Sequence, residues 1–183
     1  MQGPAPAIHH GFTLIETLLT VALVGILLLI AVPSFSGAFA RTDHHALLQA
    51  LSTSFLNART ASMADSENAI LCPSSDGIRC SGDFVWQIGW IVGIDHNGDG
   101  DLGPSDSILE HRQAFAEPIH VISSSGRRRL KFQPFGSNAG SNATFTLCSR
   151  HGKGVRAYAL SNFGRFHEVP PKPDAAAAAC AGF

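Results

Sequence analysis

The stretch "GFTLIETLLTVALVGILLLIAVPSF", Gly11 to Phe35, limits what this chain can be more than any other. From Phe12 to Val32 it is apolar apart from one acid, Glu16. About 20 apolar residues is the length a helix needs to cross the hydrocarbon core of a bilayer. A carboxylate at the middle of such a span costs on the order of 2.5–3.5 kcal/mol, and less towards its end. A secretory signal peptide would need a basic segment first and a small-residue cleavage site afterwards. The preceding "MQGPAPAIHH" has no Lys or Arg, and "SGAFA" after Pro33 is a poor cleavage site. A plain membrane anchor leaves Glu16 unexplained, unless its carboxylate snorkels to the interface.

The chain has 183 residues and a formal net charge of −1. That length suits one domain plus an appendage, and nothing global draws such a chain to nucleic acid. The four cysteines are Cys72, Cys80, Cys148 and Cys180. Their number permits two disulfides in any of three pairings, and a domain tethered outside the cytoplasm would favour forming them.

Beyond Pro33 the helical pattern resumes. Leu47, Leu48, Leu51, Phe55 and Ala58 recur at helical spacing, with polar residues between them. One helix from Phe12 to about Ala64 is expected. From Ala69 the pattern changes to short strands separated by Gly, Asn, Asp, Ser and Pro. The candidates are "NAILC", "FVWQIGWIVGI", "SILEHRQA", "IHVIS", "RRLKFQPF", "ATFTLC", "VRAYALS" and "RFHEV". The expected fold is α+β, a long helix laid on a small domain of antiparallel sheet. The tail "PPKPDAAAAACAGF" has a composition that reads as disordered unless Cys180 ties it down.

"G-FTLIE", the apolar stretch and its proline together resemble the class III leader of type IV pilins and type II secretion pseudopilins. The resemblance implies cleavage by prepilin peptidase after Gly11 and N-methylation of Phe12. It also implies a pairing of Glu16 with the terminal amine of a neighbouring subunit, and a helix kink at Pro33. Such a pairing would remove two buried-charge penalties at once and fix the axial register between subunits. "LCPSSDGIRC", "WQIGWIVGIDHNGDGDLG", "ATFTLC" and "SNFGRF" extend the resemblance to the FimT/FimU/GspH group. By that resemblance Cys148 pairs with Cys180, leaving Cys72 to Cys80.

The implied organisation is a leader over 1–11, a transmembrane and filament-core helix over 12–33 and its amphipathic continuation over 34–66. A β-rich periplasmic domain follows over 67–169, then a Pro/Ala-rich tail over 170–183. The implied protein is a single-pass inner-membrane subunit of a type IV pilus. Its partners would be other pilin subunits and the peptidase. A type II secretion pseudopilin is the alternative. His9 and His10 stand where basic residues would give a positive-inside signal, so orientation rests on the family motif.

Two further features suggest ligands. In "DHNGDGDLGPSD", Asp95, Asn97, Asp99, Gly100 and Asp106 fall at positions one, three, five, six and twelve of a calcium loop, with Asp101 a further acid. The competing reading is a polar hairpin turn, where Asn-Gly and Asp-Gly are at home. Calcium is thus the one candidate cofactor. Arg127, Arg128 and Arg129 form the densest basic cluster, which would contact the phosphates of double-stranded DNA without reading sequence. FimT-like proteins carry a C-terminal "GR-R" motif associated with DNA uptake. Here the stretch is Gly164-Arg165-Phe166-His167, with His167 in place of the second Arg. A solvated basic strand is the plainer reading. Cys148 and His151 in "CSRH" lack a third partner for nucleophilic catalysis. The remaining histidines have no metal-ligand spacing, and no enzyme is expected.

Overall fold

The computed structural model describes residues 13–115, 119–138, 140, 142–149, 155–162 and 164–181, without the side chains of 29–44 and 149. It divides into two compact units, Met1–Ala38 and Phe39–Phe183, considered separately here. The element order is α1 (Leu14–Asp65), β1 (Asn68–Pro73), β2 (Gly89–Asp95), β3 (Ser107–Gln113), β4 (Ile119–Ser123), β5 (Leu130–Phe132), β6 (Ala143–Ser149), β7 (Arg156–Leu160), β8 (Phe166–Val169) and α2 (Pro173–Ala179).

In the first unit α1 presents Leu14, Ile15, Leu18, Leu19 and Val21 with more than half of each surface exposed. A helix that is apolar on every face is at home only in an apolar surrounding. Among the described residues no helix is long and apolar enough to cross a membrane. The apolar run expected to span one extends past residue 28 into positions whose side chains lie outside the description.

In the second unit the later part of α1 buries Leu47, Leu51, Phe55 and Ala58, a stripe at helical spacing. Both sheets are antiparallel and four-stranded, in the orders β3-β2-β1-β5 and β4-β6-β7-β8. The two central strands of the first sheet are covered on both faces, and period-2 alternation sorts their side chains. Ala69, Leu71, Trp90, Val92 and Ile94 join the α1 stripe in the main core. Ile70, Cys72 and Ile91 turn the other way, onto Leu102. Gly93 sits at a register shift between β2 and β3. A Cβ there would lie 2.6 Å from the Ser107 carbonyl oxygen and 2.9 Å from a Leu102 methyl, so the loop after β2 closes down only over glycine.

In the second sheet Phe145 and Leu147 enter the same core. Phe55 meets Phe132 edge-on at 4.6 Å, and Trp86 meets Phe145 at 5.1 Å. The tail departs from its composition. Its alanine run forms helix α2, with Pro at the start where the missing N–H is no loss. α2 packs on β6 and β4.

Candidate functional site

Gly11 and Phe12 lie outside the described residues, as does the side chain of Pro33. Glu16 is described, and its first role is local. The Thr13 N–H donates to Glu16 Oε2 at 3.5 Å, and the Glu16 N–H donates to Thr13 Oγ1 at 3.3 Å. This reciprocal pair is a capping box, which satisfies orphan amides at the start of α1. Glu16 remains exposed on the helix surface.

Disulfides join Cys72 to Cys80 and Cys148 to Cys180. Inside the first loop Asp76 Oδ1 accepts the N–H groups of Ile78 at 2.9 Å and Arg79 at 3.1 Å. Those two backbone bonds, helped by the Ser74 hydroxyl and the Arg79 charge, lower the Asp76 pKa to about 2.

The Asp-rich loop is organised by its own amides. Asp95 accepts from Gly98 N–H at 2.8 Å and Gly100 N–H at 3.0 Å. Asp106 accepts from His96 N–H at 3.0 Å and Gly103 N–H at 2.8 Å. Asp99 accepts from the Asn97 side-chain amide at 2.9 Å and the Asp101 N–H at 2.8 Å. Asp101 pairs with the Arg129 guanidinium at 2.9 Å, and Arg129 also donates to the Gly100 carbonyl. The loop thus draws its cation from the basic cluster. Among the described residues no group of three or more His, Cys, Asp or Glu side chains is arranged to hold a metal ion.

His96 bridges two elements from the neck of this loop. Its Nδ1 lies 2.6 Å from Glu67 Oε2 and its Nε2 lies 2.7 Å from Ser107 Oγ. The order resembles nucleophile, base and orienter. All three side chains are solvent-accessible. The bridge ties the end of α1 to the start of β3.

The five basic candidates do not form one patch. Arg129 belongs to the Asp loop. Arg128 and Arg165 are exposed on separate turns. The "GRF" stretch is half structural. Gly164 has φ of 84° and lies against the Phe55 ring, where any Cβ would collide, and Phe166 packs on Phe145 at 5.8 Å. Arg127 and His167 line one polar groove of about 650 Å³. Lys172, just before α2, completes that groove. Sequence reading missed Lys172, because it is the Cys148–Cys180 bond and the packing of α2 on β6 and β4 that bring the tail to the sheet.

The type II transport protein GspH family model matches residues 47–164. A prokaryotic N-terminal methylation motif matches residues 8–32. No curated protein matches the chain. Two crystal forms of the type IV minor pilin FimU of Pseudomonas aeruginosa share the fold. One has a TM-score of 0.54 at 20% identity, covering 71% of this chain and 90% of that one. The other has a TM-score of 0.51 at 18% identity, covering 69% and 92%. With a long N-terminal helix, two antiparallel sheets and these matches along its length, the chain belongs to the GspH family of type IV pilin-like minor pilins and pseudopilins.

Proposed function

We propose that this chain is a minor subunit of a type IV pilus. In this reading it is cut after Gly11 by prepilin peptidase, N-methylated at Phe12 and held in the inner membrane by residues 12–33. Its second unit faces the periplasm until the subunit is drawn into a filament. The observation that carries the reading is α1 itself: exposed apolar side chains on every face, with Glu16 in the first turn, inside the matched methylation motif. An apolar helix of this kind needs either lipid or the helices of neighbouring subunits around it. A buried amine from the next subunit would be the natural partner for Glu16.

The family description favours a second reading, a type II secretion pseudopilin. A deletion strain separates the two. Loss of surface pili with secreted enzymes unaffected supports the pilus. Loss of secretion with intact pili supports the alternative. DNA capture is a further function within the pilus reading, resting on exposed Arg128 and Arg165 and on Arg127 beside His167. Its test is a gel shift at low salt with duplex DNA.

A further inference from the structure

We propose that the groove between Arg127, His167 and Lys172 binds an acidic oligosaccharide, one whose sugar units carry carboxylates. The inference does not depend on whether the subunit serves a pilus or a secretion system. Thr144, Ala159 and His167 are register partners across β6, β7 and β8, so they form one line across the sheet. Thr144 alternates with the core residues Ala143 and Phe145, which puts it on the opposite face. Further along β6 that face is occupied, because Thr146 and Cys148 are buried and α2 packs on the strand. At the Thr144 end the face stays open and forms the floor of the groove.

The two cations come from separate elements, Arg127 from the turn between β4 and β5 and Lys172 from the link into α2, and the His167 imidazole on β8 lies in the same groove. Arg127 is oriented by its own bond, Nη2 donating to the Gly140 carbonyl at 3.1 Å with Asn142 Oδ1 at 3.5 Å, which leaves other guanidinium donors over. No acid is among the described residues lining the groove. Three other cations of the second unit are paired with acids, Arg129 with Asp101, Arg156 with Glu168 and Arg79 with Asp76. An uncompensated positive concavity selects an anion. Its neutral lining includes Ser125, Ser161, Asn142 and Asn162. Hydroxyl and amide groups both donate and accept, as ring hydroxyls of a sugar require. The volume is that of a small-ligand site.

Nucleic acid fits this groove less well. Among the described lining residues there is no Phe, Tyr or Trp, which leaves a base only the His167 ring and the Arg127 guanidinium to stack on. Duplex DNA gains affinity by adding phosphate contacts along a rod, whereas these cations converge on one hollow.

The test is titration calorimetry of the full chain in detergent micelles with tetragalacturonate, with maltotetraose as the neutral control and a 20-base-pair DNA duplex as the competing polyanion. Tetragalacturonate should bind and maltotetraose should not. Lys172→Ala and Arg127→Ala should each weaken binding ~10-fold, as expected for one charge-assisted hydrogen bond. Lys172 is exposed, so its variant keeps the fold. Reduction of the Cys148–Cys180 bond should also weaken binding, because it frees the segment carrying Lys172. Absence of tetragalacturonate binding, or an affinity unchanged from the parent chain in both variants, overturns the proposal. Tighter binding of the duplex, lost in the same variants, overturns it in favour of nucleic acid.

Discussion

The indole N–H of Trp90 donates to Ser54 Oγ at 2.9 Å in the core of the second unit. Ser54 in turn donates to Glu110 Oε1 at 2.6 Å, and the Asn57 amide donates to Glu110 Oε2 at 2.8 Å. One helix and two strands of the first sheet are thereby locked in a single register. The lock needs every member. Ser54→Ala leaves a buried indole N–H without its acceptor and should destabilise the unit by about 1–3 kcal/mol. Urea unfolding should show a lower midpoint with an unchanged slope. An unshifted midpoint would mean that the network adds nothing.

The second disulfide holds the tail. Closing a loop with a sequence separation of 32 is worth about 3–4 kcal/mol in the chain-entropy picture. Cys180→Ala should lower stability by a large part of that and release α2, whose seven residues are too few to stay helical alone. Amide exchange over Pro173–Ala179 reads this directly. Continued protection there would show that packing on β6 and β4 suffices.

Much of the fold was open to sequence reading. Each quoted strand candidate overlaps an observed strand, because turn residues and β-branched runs alternate so regularly. "FVWQIGWIVGI" was read too long. Val85 makes only an isolated bridge to Ile122, and the strand begins at Gly89. The tail is tied down by Cys180 as its sequence allowed, but its alanine run as a helix was not legible, because composition carries no information about a partner surface. Thr13 and Glu16 stand at the spacing of a capping box, so this local feature of Glu16 is legible from the sequence alone. The link Ser54–Glu110 and the groove shared by Arg127 and Lys172 join residues far apart in the chain, and no local pattern announces them.

The first disulfide loop should respond to acid. The folded-state pKa of Asp76 is about 2, below its reference value of 3.8. A depressed carboxylate contributes stability that is present above the unfolded pKa and lost as pH falls through the folded one. Backbone amides of Ile78 and Arg79 should therefore lose protection, relative to their intrinsic exchange rates, as pH falls from about 4 to about 2. Asp76→Asn should abolish that pH dependence. Retention of the dependence in the variant would assign it to another group.

Arg129 is expected to act on the Asp loop rather than on DNA. Arg129→Ala removes the ion pair to Asp101 and the bond to the Gly100 carbonyl, and it should speed amide exchange over residues 96–106. Any gel-shift signal with duplex DNA should survive this change and fall with Arg127→Ala. The reverse pattern would return Arg129 to a nucleic-acid surface.

Glu16 offers two roles that one pair of variants separates. Glu16→Gln keeps an acceptor for the capping box but removes the charge. If the carboxylate pairs with a neighbouring subunit's amine, Gln and Ala should both reduce incorporation into filaments while membrane insertion persists. Normal incorporation of the Gln variant would leave only the cap.

The intact mass of the chain isolated from its native membrane tests the central claim most directly. Cleavage after Gly11 and methylation of the new terminus predict a mature chain that starts at N-methylated Phe12. A mass that retains Met1, or one that reports cleavage after Ala40, contradicts the assignment of this protein as a processed filament subunit.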